Sequence, residues 1–125
     1  MQGIGSDMLK FEGKRVYLAC GHTDMRKSIN GLAAIVQNRF MLDPFSEAIF
    51  VFCNRSRDRI KILEWDEDGF WLYFKRLEKG RFRWPAEVPD EATMTLSAEE
   101  FSMLLGSTRV VQKLMRKEVQ VGAVV

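Results

Sequence analysis

Sulfur and imidazole are scarce in this chain, which has two cysteines, Cys20 and Cys53, and one histidine, His22. Two thiols so far apart do not make a secreted disulfide framework, so free thiols in a reducing, cytoplasmic setting are expected. A metal centre would have to draw on Cys20, His22 and Cys53. Cys-x-His is not a usual zinc spacing and no fourth ligand is apparent, so neither a metal nor any other cofactor is expected. Cys20 lies two residues from His22 on a strand-like segment, and no third group is indicated for nucleophilic catalysis. Phosphate-cradling loops are missing: there is no Gly-x-x-x-x-Gly-Lys-Ser/Thr and no Gly-x-Gly-x-x-Gly. The triplet Asp66-Glu67-Asp68 resembles a magnesium site, but just before Gly69 it reads better as a hairpin turn. Together these absences argue against an enzyme, and no small-molecule substrate is expected.

Long apolar runs are also missing. Nothing approaches the roughly 20 residues of a membrane span, and the first residues lack the basic-then-apolar order of a signal peptide. No internal repeat or low-complexity tract is present. Nor is there an excess of one charge: the net charge is +2, so any electrostatic footprint must come from local clustering.

What is present is core material, with nine Phe and three Trp in 125 residues, enough for one domain. Residues 1–13 hold three glycines and read as a loosely held leader. Arg15–Cys20 reads as a strand. A long helix is expected from about Asp24 to Phe40, with Met25, Ile29, Leu32, Val36 and Phe40 as its apolar stripe. Gly31 inside it suggests close packing against a sheet. Ala48–Cys53 is an almost wholly apolar run, as in a central strand. Asn54–Asp58 is a polar turn, and strands at Arg59–Trp65, Phe70–Leu77 and Arg81–Trp84 complete a meander that Pro85 stops. Gly69 is expected to supply positive φ in the first hairpin. Thr93-Met94-Thr95 reads as a short edge strand. Ser97 and Glu100 form a capping box before Phe101, Leu104 and Leu105, with Gly106 as the C-cap. Residues 107–125 read as a divergent tail with helical potential. The expected fold is α+β: one small domain, an antiparallel β-meander packed on one long helix, with a short closing helix.

Two features suggest where an anion would bind. Arg26 and Lys27 fall in the first turn of the expected helix, where the dipole disfavours cations by about 0.3–1 kcal/mol each. A phosphate docked on the free N–H groups would recruit both; alternatively, Asp24 offsets them and they extend into water. The second feature is the sheet. If Ile62 lies opposite Phe74 and Phe74 opposite Phe82, then Ile60, Ile62, Leu72, Phe74, Phe82 and Trp84 share the buried side. Lys61, Lys75 and Arg81 would then form one cross-strand row, with Tyr73 and Arg83 in the next. Like charges opposite one another destabilise a sheet, so such a row invites an anion. The plainer account is a solvated face, interleaved with Glu64, Asp66 and Glu78.

Four ordered blocks carry a family resemblance. Gly21-His22-Thr23-Asp24-Met25-Arg26-Lys27 with Asn30-Gly31-Leu32 is the first. Asp43-Pro44-Phe45-Ser46 with Phe50-Val51-Phe52 is the second, and Asp58–Leu63 with Trp65-Asp66 and Asp68-Gly69 the third. Tyr73–Phe82 with Trp84-Pro85 is the fourth. Over roughly residues 14–105 they resemble the TnpB-type accessory protein encoded by the second open reading frame of bacterial insertion sequence 66 elements. The resemblance implies a role in DNA transposition and recombination beside a separate transposase that cuts and joins DNA, and it does not imply nuclease activity here. It departs from the family at Asn54–Arg57, where a longer arginine-bearing loop is common, and after Gly106.

Two readings follow. In one, Arg26, Lys27, Arg55, Arg57, Arg59, Lys61, Lys75, Arg76, Arg81 and Arg83 contact transposon-end DNA or a transposase–DNA complex through phosphates, weakly and with little base specificity. In the other, Trp65, Trp71 and Tyr73, or the apolar tail, dock the transposase without touching DNA.

Overall fold

The computed structural model describes residues 11–106. In chain order they form β1 (Arg15–Ala19), α1 (Ile29–Asn38), β2 (Ile49–Cys53), β3 (Arg59–Asp66), β4 (Gly69–Arg76), β5 (Thr93–Ser97) and α2 (Ala98–Gly106). The five strands make one mixed sheet in the order β4-β3-β2-β1-β5. β1 and β2 are parallel and joined through α1, and the remaining pairs are antiparallel. The fold is α+β, as the sequence implied, but its sheet is covered on both faces.

The central strand shows why. β2 reads Ile-Phe-Val-Phe-Cys and every residue is buried. Alternation sends Phe50 and Phe52 to one side and Ile49, Val51 and Cys53 to the other. The first side packs with Leu32 and Val36 of α1, Ala19 and Leu63. The second packs with Phe82, Trp84, and Phe101, Leu104 and Leu105 of α2. Full burial of a side chain of this size contributes about 1.5–3 kcal/mol. Phe11, assigned to the leader from sequence, is 1% exposed and belongs to the second core; residues 1–10 lie outside those described.

Several local expectations hold. The capping box forms reciprocally: the Ser97 N–H donates to Glu100 Oε1 at 2.8 Å and the Glu100 N–H to Ser97 Oγ at 3.1 Å. Thr93–Ser97 is an edge strand, and Cys20 and Cys53 are buried free thiols. The expected helical tail lies outside the described residues.

Five expectations are corrected. The helix is ten residues long and starts at Ile29, with extended Ser28 as its cap. Asp24 accepts the Arg26 N–H, and Lys61 Nζ donates to the carbonyls of Met25 and Lys27 at 2.8 and 2.9 Å. The two Lys61 bonds occupy carbonyls that an earlier helical turn would use. Arg26 and Lys27 therefore precede the helix. Arg81–Trp84 is not a strand: its Phe82 and Trp84 are pulled onto the α2-side core, and Trp84 Nε1 donates to the buried Ala19 carbonyl at 2.8 Å. The β3–β4 register is one residue from the expected one, pairing Ile62 with Tyr73 and Lys61 with Phe74. A two-residue loop sets it, because Asp66 faces Gly69 directly. In that loop Glu67 takes positive φ (51°), not Gly69. Gly31 faces Lys27 rather than the sheet, since a Cβ there would meet the Lys27 Cβ at 3.3 Å.

Candidate functional site

The register determines which cations are neighbours. Residues directly opposite in an antiparallel pair share a face. Lys61 and Phe74 therefore lie on the α1 face, and Lys75, opposite Ile60, lies on the other. Arg81 and Arg83 are not in the sheet at all. The expected row of Lys61, Lys75 and Arg81 does not exist, nor does the sheet row of Tyr73 and Arg83. Tyr73 instead donates its hydroxyl to Glu64 Oε1 at 2.8 Å.

A different cluster replaces the row, at the carboxyl ends of β1 and β2. The loop after β1 is drawn over the end of β2 by the Thr23 N–H, which donates to the Cys53 carbonyl at 2.8 Å. Gly21 permits the crossing: its φ is +76° and a Cβ would lie 2.9 Å from that of Glu87. The turn after β2 is shaped by Asn54, whose Oδ1 accepts the N–H groups of Asp58 and Arg59 at 3.0 and 2.9 Å. Its Nδ2 donates to Asp58 Oδ1 at 2.6 Å, and this bond holds the Asp58 carboxyl below its usual range, helped by Arg59 and Arg81. The segment after β4 is laced to the same turn. Leu77 N–H donates to the Asp58 carbonyl and Phe82 N–H to that of Arg57, each at 2.7 Å.

These backbone bonds gather Arg55, Arg57, Arg59, Arg76 and Arg81 at one edge of the sheet. Arg59 and Arg76 are direct cross-strand partners. Each has a nearby acid, Asp58 at 3.8 Å and Glu78 at 2.8 Å. Arg55, Arg57 and Arg81 are exposed and make no ion pair among the described residues. His22, Thr23, Asp24, Met25, Asn54, Arg55, Ser56 and Arg59 line a shallow depression of about 470 Å³ between loop and turn.

The other predicted cations are employed differently. Arg26 lies over the Asp24 carboxylate, with its closest contact from Nη2 at 2.8 Å. The hydrogen bonds from Arg26 lower the Asp24 pKa to about 2. The ammonium of Lys61 is committed to two carbonyls. Lys27 is exposed, while Lys75 and Arg83 are half-buried.

The three aromatics proposed as a docking surface do not share a face. Trp65 packs edge-on against Phe45 and Phe70, each at 5.0 Å between ring centroids, on the α1 side. Trp71 and Tyr73 stack at 6.2 Å on the other side, with Trp71 52% exposed and its Nε1 donating to Asp66. Burial pushes the Cys53 thiol up to about 12, and burial also raises Cys20. Among the described residues, no group of three His, Cys, Asp or Glu side chains is placed to hold a metal ion. No described helix is long and apolar enough to cross a membrane.

Sequence reasoning missed Phe74, which it placed in the core; it is 55% exposed, beside the cations. It also missed the role of Asn54, although an Asn opening a turn four residues before an Asp is a recognisable signal.

The model of the family described as IS66 Orf2 like protein matches residues 14–114. An uncharacterized protein of Sinorhizobium fredii, y4jC, is 38% identical over 112 residues, covering 87% of this chain and 94% of that one. A second from the same organism, y4hO, is 40% identical over 91 residues, covering 73% of this chain and 77% of that one. No solved structure matches.

Proposed function

The chain belongs to the IS66 Orf2-like family of transposition-associated accessory proteins, and from that premise we propose that it is a non-catalytic subunit that holds element DNA, free or within the transposase–DNA complex, on its arginine edge. The observation carrying this reading is the gathering of Arg55, Arg57, Arg59, Arg76 and Arg81 by backbone bonds from three separate segments. Guanidinium groups suit bidentate phosphate contacts. Such contacts position DNA without reading its sequence. Binding is then weak and falls with salt, with a log–log slope of about −0.9 per phosphate engaged. The test is a titration of the full chain with transposon-end duplex from low to moderate salt, alone and with transposase. Salt-sensitive binding supports the proposal, and no complex at the lowest salt in either arm overturns it.

A second reading rests on Trp71, which is 52% exposed on the α2 side. Large half-exposed aromatics anchor protein interfaces, so this surface would dock the transposase without DNA. A transposase pull-down abolished by Trp71→Ala and unaffected by Arg57→Ala supports that reading; the reverse pattern supports the arginine edge.

A further inference from the structure

Phe74 and Phe70 lie two turns of the pleat apart on one face of the edge strand β4, and they are treated differently. Phe70 is half-buried under Phe45 and Trp65, with ring centroids 5.5 and 5.0 Å away. Leu72, the next residue on that face, packs into the α1 core. Phe74 lies past the cover provided by α1 and is 55% exposed. Its cross-strand partner is Lys61, and the neighbouring pair on the same face is Arg59 with Arg76. Same-face neighbours along a strand are about 7 Å apart. The Arg59 and Arg76 side chains are 42% and 54% exposed. Lys61 is turned away, since its ammonium is bound to the Met25 and Lys27 carbonyls. The site thus offers an open aromatic face beside two partly exposed guanidinium groups, at one corner of the arginine edge. Each has an acid beside it, Asp58 3.8 Å from Arg59 and Glu78 2.8 Å from Arg76, in exposed pairs that a phosphate can replace at little cost.

We infer that this corner binds single-stranded DNA, with an unpaired base stacked on Phe74 and the adjoining phosphates on Arg59 and Arg76. The inference rests on the nucleic-acid reading of the arginine edge and narrows it. Arginines alone would serve duplex and single strand alike. A ring standing among them serves only a strand whose base faces are free, because in a duplex those faces are covered by neighbouring bases. Stacking on an exposed aromatic flanked by cations is sequence-tolerant, as expected for a site built from phosphate contacts. The other exposed phenylalanine of similar accessibility, Phe45, lies between Asp43 and Glu47 and is held by Trp65 and Phe70, so it makes an internal control.

The experiment is fluorescence anisotropy of the full chain with a labelled oligothymidylate, a mixed-sequence DNA strand, its duplex and the matching RNA strand. The expected order is DNA single strand tighter than duplex. Phe74→Ala is expected to weaken single-strand binding about 5- to 150-fold with little change for duplex. Phe74→Trp retains or strengthens it, and Phe45→Ala leaves it unaltered. Equal affinity for strand and duplex, or no effect of Phe74→Ala while Arg57→Ala weakens both, overturns this inference and leaves the duplex reading standing. Tighter binding of RNA than of DNA overturns the choice of DNA. No binding of any probe overturns the parent reading as well.

Discussion

One end of the sheet gathers arginines and the other carboxylates, and the two groups are used differently. At the carboxyl ends of β1 and β2 stand Arg55, Arg57, Arg59, Arg76 and Arg81, largely exposed. At the opposite end, the β3–β4 hairpin carries Asp66, Glu67 and Asp68, and α2 begins with Glu99 and Glu100. Glu64, near that end of β3, is 4% exposed and held by Lys14 Nζ at 2.6 Å and the Tyr73 hydroxyl at 2.8 Å. Asp66 accepts from Trp71, and Glu100 completes the helix cap. Several acids are thus consumed in holding the fold. Three of the five arginines have no ion-pair partner among the described residues. A partner that engages those three breaks no internal ion pair, and one that engages Arg59 or Arg76 displaces only an exposed pair.

The sharpest way to break this contrast is to remove the anchor of the basic end. Trp84→Ala deletes a buried ring and the bond to the Ala19 carbonyl, releasing the segment that carries Arg81. A loss of about 3–5 kcal/mol is expected, read by urea denaturation. Glu64→Ala comes next. It removes the carboxylate that accepts from the Tyr73 hydroxyl and from Lys14, and a loss of about 1–3 kcal/mol is expected, with nucleic-acid affinity unchanged in the folded protein.

The converse holds for Arg55→Ala with Arg57→Ala. Stability stays within about 0.5 kcal/mol, while the slope of log affinity against log salt becomes shallower by about 2. The smallest effect belongs to Arg26→Ala. The Asp24 carboxyl, which titrates at about 2, moves back up toward its ordinary 3.8, a shift that carbon-detected NMR would follow. Because the folded pKa is depressed, the pair's support is present above about pH 4 and fades as the pH falls through about 2. Both side chains are exposed, so the thermal midpoint at neutral pH should barely move.

Family membership and most elements were legible in local patterns. A run such as Ile49–Cys53 can hardly be other than a buried strand, and a Ser97–Glu100 box needs only four residues to form. The arginine turn at Asn54–Asp58 was legible for the same reason: its bonds are local.

What the sequence by itself determined, then, is the identity and order of most elements, because apolar periodicity and capping act within a few residues. The tertiary structure decided which side chains meet. The start of α1 depends on Lys61, 36 residues from Met25. The partnering of Lys61 with Phe74 depends on a two-residue loop, and a slip of one residue reverses every face of β4. Arg81–Trp84 has the alternation of a strand, yet burial of Phe82 and Trp84 against α2 and the bond to Ala19 outweigh it. Charges that the expected register placed in one row were separated by the register of the two-residue hairpin loop, and arginines from distant segments were brought to one edge by long-range hydrogen bonds and core packing.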